Sequence, residues 1–284
     1  MKDIFAQFLK DKTYIVNVTP KTISFYKQSF NAFRRHYQGT LENITKADLN
    51  NFVIHLRERG MSPNGANVYI RGMNSFFSWC HENGLTAEKL AVTKLKKEKK
   101  IVKTFTEAQL RSIITFKPKG FFQQRTHALL CLLIDTGARI TEALILTRQN
   151  VDMDNMLVKL MGKGNKERVV PISPEMRSIL ARFLKKHDYS LIFPMRNGCK
   201  IEYQCARVYM KKLCKKLGIE GVRPSPHTLR HTFAIEYLRS GGNLIWLQHI
   251  LGHEDLATTR LYVNLATEDL KLEHARTSLL KRLR

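Results

Sequence analysis

Nowhere in its 284 residues does the chain hold 18 consecutive apolar residues, which excludes a membrane-spanning helix. Acidic residues are scarce: 24 Asp and Glu stand against 48 Lys and Arg, for a formal net charge of +24. The five cysteines (Cys80, Cys131, Cys199, Cys205, Cys214) are odd in number and unpaired in spacing. No disulfide framework is therefore expected, and a reducing cytosol is. Cys80 and Cys131 sit in apolar helical runs and read as buried thiols. Met1, Lys2 and Asp3 open onto a short amphipathic stretch with neither an apolar core nor a cleavage site, so no secretory signal is expected. Internal repeats and low-complexity segments are lacking as well.

What the chain does have is apolar material: 43% hydrophobic and 9% aromatic residues, enough for packed cores. Its length suits two domains at about 150 residues each. The positive excess opposes compaction by self-repulsion and makes sense against a polyanion, with nucleic acid the leading partner and an anionic membrane surface second. The sharpest break is Lys94 to Lys103, KLKKEKKIVK, with six lysines and one glutamate in ten positions. It reads as a charged linker rather than a packed element, either a solvated spacer or a strap along phosphates. The expected division is a helical domain over 1–93, a basic linker over 94–104 and a second domain over 105–284.

The first domain reads all-helical. Thr19-Pro20 and Ser62-Pro63 are caps followed by a proline at the first helical position, and Thr45 with Asp48 resembles a capping box. Behind them Phe30 and Phe33, Leu49 and Phe52, and Met73, Phe76, Phe77 and Trp79 fall at helical spacing, with Gly39, Gly60 and Gly84 as stops. In the second domain Thr106 and Gln109 start a helix, an apolar helix runs from His127 to Thr136, and Arg139 to Leu146 resumes helically after Gly137. Met156–Met161 and Arg168–Ile172 alternate around Gly162-Lys163-Gly164-Asn165-Lys166, the pattern of a β-hairpin. The rest reads mainly helical. The fold class expected is mainly α (α+β), with one small antiparallel sheet.

Three familiar motifs fail. GKGNK is not GxxxxGK[ST] and lies between strands, so it is no nucleotide loop. Cys214, His227 and His231 lack the second nearby cysteine that a zinc finger needs, since the next is Cys205. His253-Glu254 opens like HExxH, but Ala257 stands in the fifth position. No carboxylate cluster suits a pair of divalent metals, so phosphate chemistry here is expected to run without metal.

Four patches carry chemistry. Arg139 follows a glycine break at the start of an apolar helix, where a guanidinium fork suits phosphate oxygens, or pairs with Glu142. Lys163 stands on a two-glycine hairpin tip, where a titrating lysine can project into a ligand or simply charge a turn. His227 and Arg230 share a helix face, three positions apart. His253 follows Gly252, and Tyr262 comes nine positions later.

Together, in a basic two-domain chain, this set resembles the tyrosine recombinase (phage integrase) family, and within it the Xer-like recombinases. The resemblance covers nearly the whole chain, with the specific motifs between Thr106 and Leu265 and only an outline match in the helical N-terminal half. Arg139 matches the family's first arginine, Lys163 its hairpin lysine, His227 and Arg230 its HxxR motif, His253 its LGH histidine and Tyr262 its nucleophile. Ala138 departs from the larger apolar residue usual before the first arginine.

The resemblance implies site-specific cutting and rejoining of double-stranded DNA through a 3′-phosphotyrosyl link and a Holliday junction, with no cofactor and no metal. Arg139 and Arg230 would clamp the phosphate, Lys163 would serve as general acid, His227 would assist the tyrosine's proton, and His253 would bond the phosphate. Lys94, Lys96, Lys97, Lys99, Lys100, Lys103, Lys166 and Arg168 are the candidate DNA contacts. The amphipathic tail, Thr267 to Arg284, would dock on a neighbouring protomer in a homo- or hetero-tetramer. A cytoplasmic, nucleoid-associated protein is expected, without membrane contact. The alternatives are type IB topoisomerase-like relaxation and a non-catalytic DNA-binding regulator.

Overall fold

The computed structural model describes residues 1–96, 103–162, 166–252 and 259. The chain divides into two compact units, Met1–Lys100 and Ile101–Arg284. The division falls inside the segment expected to be a linker.

The first unit holds four helices, α1 (Lys2–Tyr14), α2 (Pro20–His36), α3 (Lys46–Glu58) and α4 (Pro63–Glu82). The capping residues act as the sequence predicts: Thr19 and Ser62 accept from the backbone of Thr22 and Gly65, and Thr45 and Asp48 form a reciprocal capping box. Apolar spacing then turns one face of each helix inward. Phe76 lies at the centre, with ring centroids 5.3–5.5 Å from those of Phe5, Phe8, Phe30 and Phe77. Such edge-on and tilted contacts between rings add to the burial of their area.

Beyond α4 the chain does not run free. Asn74 donates to the carbonyl of Val92 and accepts from its N–H, at 2.8 and 3.0 Å. Asn67 does the same for Leu95, both bonds 2.9 Å long. Side-chain amides thus stand in for a neighbouring strand, and Leu90, Val92 and Leu95 pack on the core. The start of the expected spacer is therefore a packed element: only the lysines around Leu95 face solvent, because the amide pairs pin its backbone.

The second unit contains α5 (Glu107–Ile114), α6 (Gly120–Thr136), α7 (Ile140–Ala143), α8 (Pro174–Leu184), α9 (Tyr203–Lys216), α10 (Pro226–Arg239) and α11 (Leu244–Leu251). A three-stranded antiparallel sheet runs in the order β1 (Val151–Asp152), β2 (Leu157–Met161), β3 (Glu167–Pro171). Helix α6 is the hub, buried through Leu129, Leu130, Leu132 and Leu133 and packed against α5, α8, α9 and α10. It starts a full two turns before His127. Helix α7 is shorter than the expected Arg139–Leu146, because Leu146 leaves the helix to accept from the Ile192 backbone at 2.8 Å and Thr147 bridges to Leu191. Strand β1 extends the expected hairpin to three strands.

In the hairpin Val158 faces Val170 and Leu160 faces Arg168. Phe105 opens the unit, buried, with its N–H on the Thr232 hydroxyl at 3.1 Å. All five cysteines are free thiols; Cys80, Cys131 and Cys214 are buried, which pushes their pKa values up to about 12, 12 and 11.

Candidate active site

Helix α6 ends at Gly137, whose φ of +61° is left-handed. A Cβ there would also come within 2.3 Å of the Phe233 ring, so both the conformation and the close approach require glycine. The turn delivers Arg139 to the N-cap position of α7. Helix α10 begins at the Ser225 cap and Pro226, which sets His227 in its first turn and Arg230 one turn later. Arg230 is only 6% exposed. It donates Nη1 to the Gly137 carbonyl at 2.8 Å and Nη2 to the Leu251 carbonyl at 2.7 Å.

The C-terminal end of α11 organises the cluster. Asn243 caps its start, and Gly252, with φ +63°, ends it. Three successive carbonyls there each accept from a different arginine: Ile250 from Arg168 Nε at 2.8 Å, Leu251 from Arg230, and Gly252 from Arg139 Nη2 at 3.2 Å. The last carbonyls of a helix lack partners within it and form the negative end of its dipole. Guanidiniums satisfy both demands, and so three arginines distant in sequence are gathered in one place.

Glu142 is the counterweight, 3% exposed. Arg168 forks onto its two oxygens at 2.8 and 2.7 Å, and Arg139 adds its Nη1 at 2.9 Å and its backbone N–H at 2.8 Å. Burial alone would raise this carboxyl. The Arg168 hydrogen bonds and charge, with those of Arg139, outweigh burial and hold it below the usual range. Three guanidiniums against one carboxylate leave a surplus of two positive charges. Arg139 keeps 37% of its side chain exposed, open to a ligand.

His227 lies in the same field. Desolvation by surrounding atoms comes first, then the charges of Arg230, Arg139, Arg223 and Arg207, and all lower its pKa. The ring thus stays neutral, able to take a proton, where an ordinary imidazole begins to charge.

Of the six residues expected to do chemistry, Arg139, His227 and Arg230 come together here; Lys163, His253 and Tyr262 lie outside the described residues. Lys94, Lys96, Lys103 and Lys166 are exposed, and Lys97, Lys99 and Lys100 lie outside the description. Arg168 is corrected. It was expected to contact DNA, but strand alternation puts it on the inner face with Val170, its side chain 13% exposed and committed to Glu142. Sequence reasoning also passed over Arg207 and Arg223, which act on His227 through their charge. Among the described residues no group of three His, Cys, Asp or Glu is set to hold a metal, and no helix is long and apolar enough to cross a membrane.

Comparison with known proteins gives this cluster its family. The model of the phage integrase family matches residues 103–269, and that of the phage integrase N-terminal SAM-like domain matches residues 4–87. The chain belongs to the phage integrase family, as a Xer-like tyrosine recombinase. The recombinase is 28% identical to the tyrosine recombinase XerD of Vibrio cholerae, over 95% of this chain and 94% of that one. It is 30% identical to XerD of Pseudomonas aeruginosa, over 88% and 87%.

Among solved structures, the recombinase shares its fold with the Tn1549 transposon integrase in complex with circular intermediate DNA. There the TM-score is 0.77 at 19% identity, covering 92% of this chain and 93% of that one. It also resembles the XerH site-specific recombinase bound to a palindromic difH substrate, with TM-score 0.74 at 20% identity over 97% and 84%.

Proposed function

We propose that this recombinase cuts and rejoins double-stranded DNA at a specific site, with Tyr262 as the nucleophile. The tyrosine oxygen attacks the scissile phosphorus, the bond to the 5′-oxygen breaks, and a 3′-phosphotyrosyl ester conserves the linkage until a second strand's 5′-hydroxyl reverses the reaction. Arg139 and Arg230 hold the non-bridging oxygens as charge builds on them. Lys163 gives its proton to the departing 5′-oxygen, His227 receives the phenolic proton, and His253 bonds the phosphate.

The observation that supports this reading best is the gathering of Arg139 and Arg230 on consecutive carbonyls at the end of α11, with His227 in their field. Chain connectivity carries it further, because His253 is the next residue after that helix end and Lys163 follows Gly162, where the hairpin closes. The exposed Lys94, Lys96, Lys103 and Lys166, with Lys97, Lys99 and Lys100, serve as phosphate contacts that give salt-sensitive affinity. The tail from Thr267 to Arg284 docks on a neighbouring protomer, and a cytoplasmic, nucleoid-associated tetramer carries out the exchange through a Holliday junction.

The test is a pool of nicked duplexes with a randomised centre, incubated with the whole chain, followed by recovery of covalent adducts and mapping of the attached peptide. Attachment at Tyr262 to a selected sequence is expected, with Tyr262→Phe binding the same duplex and attaching to none. Adducts at another residue would end the assignment. Relaxation of plasmid without sequence selection would mark a topoisomerase instead.

A further inference from the structure

Arg168 stands where β3, Glu142 and the end of α11 meet in space. It lies on β3, opposite Leu160 and seven residues from the end of β2 in the chain's return through the hairpin tip. The hairpin closes with the Gly162 N–H on the Lys166 carbonyl at 2.7 Å, so the position of β3 dictates where the tip residues start and end. From β3, the Arg168 guanidinium reaches in two directions. Its two terminal nitrogens fork onto Glu142, which also receives Arg139, and its Nε donates to the Ile250 carbonyl at the end of α11.

The surroundings are built to that side chain. The buried Glu142 carboxylate has both oxygens engaged by it. The left-handed Gly252 lets the chain pass so close that a Cβ there would stand 3.0 Å from Arg168 Cδ and 3.1 Å from its Nε. Few arrangements other than this fork satisfy a planar carboxylate and a helix-end carbonyl at once; a lysine has the charge but not the geometry.

We infer that Arg168 is a positioning residue for the strand-cleavage step: by tying β3 to Glu142 and to the end of α11, it fixes the hairpin that carries Lys163 against the arginine pair. This rests on the recombinase reading above and gives Arg168 a role that needs no contact of its own with DNA. A general acid must meet the leaving oxygen within hydrogen-bond reach, so a hairpin free to shift loses proton delivery before it loses binding.

The experiment uses the duplex selected by the wild-type chain, in two forms: one with the normal bridging 5′-oxygen and one with sulfur in its place. A thiolate leaves without a proton, so the sulfur duplex does not need Lys163. Arg168→Ala, Arg168→Lys and Lys163→Ala are compared with wild type for rate of covalent attachment, for duplex affinity and for cooperative melting.

Arg168→Ala is expected to attach to the oxygen duplex on the order of 100-fold more slowly, the cost of an ångström-scale misplacement. Its affinity should stay near wild type, and the sulfur duplex should recover most of the loss, as for Lys163→Ala. Arg168→Lys should fall between. Unchanged attachment to the oxygen duplex, an equal deficit on both duplexes, or loss of binding and cooperative melting in both Arg168 variants would each overturn the role. Failure of wild type to attach to any duplex would instead defeat the recombinase reading itself.

Discussion

Around Phe76 the first unit packs ring against ring, and its buried polar residues among those described are only Ser29 and Asn67. The second unit buries charge: Glu142 is bonded to Arg139 and Arg168, Arg230 to two carbonyls, and Arg125, elsewhere in the unit, to the Pro194 carbonyl. The apolar core is non-directional and draws its stability from area removed from water. The charged cluster adds less to stability, since desolvation offsets much of its attraction, but it specifies where each guanidinium sits. The ring cluster serves to keep its unit folded; the charged cluster, set beside the second unit's own apolar core, serves to hold side chains at set positions.

The sharpest way to break the contrast is from the apolar side. Phe76→Ala should cost about 3–5 kcal/mol of stability, as for large-to-small changes in packed cores. Thermal melting would show a lowered transition for the first unit. The rate of covalent attachment by protein already bound to DNA should hold. A slowed chemical step at saturating DNA would mean that the two units are not independent in this sense.

Arg139→Ala is the converse. Removing one donor to a developing oxyanion should raise the barrier by about 3–4 kcal/mol. Melting should move by about 1 kcal/mol or less, because Arg168 keeps its fork on Glu142 and Gly252 is only partly buried. Single-turnover attachment and melting of the same preparation decide it; a large loss of stability with little loss of rate would reverse the assignment of roles.

The mildest effect is a pH dependence. The Glu142 carboxyl is held below its ordinary value, so the stability it contributes is complete above that value and lost as pH falls through the lowered one. Asp48 is lowered too, by its bonds with Thr45, but it is only partly buried at the start of α3 and contributes less. On acidification the second unit should therefore weaken before the first. Glu142→Gln should start less stable and show a flatter acid limb in melts taken down the pH scale; an unchanged limb would show that other carboxylates govern it.

Local signals made much of this molecule legible. Thr19-Pro20, Ser62-Pro63, Thr45 with Asp48 and Thr106 with Gln109 mark helix starts because each supplies a cap that needs only its near neighbours. Ser173-Pro174 and Ser225-Pro226 carry the same signal and open α8 and α10. The inward turn of Arg168 is also legible, since alternation with the apolar Val170 places it on the buried face; its charge points the other way, and only the buried Glu142 beside it resolves the conflict.

Other features depend on partners far along the chain. Nothing near Val151 announces a two-residue strand, and nothing near Leu146 says that Ile192 will claim its carbonyl and end α7. Which carbonyl receives which arginine is settled across 21, 82 and 113 residues. Arg139, His227 and Arg230 could be named as candidates from their motifs, but the helix end that collects the two arginines could not.

That helix end has a thermodynamic consequence. A long, flexible side chain normally forfeits rotamer freedom when it clamps a ligand, and the loss subtracts from the grip. Arg230, buried on two carbonyls, and Arg139, braced by Glu142 and Gly252, have already been immobilised when the chain folds. An arriving phosphodiester therefore meets guanidiniums that need little further ordering, and more of their attraction is left to act on the reacting phosphorus.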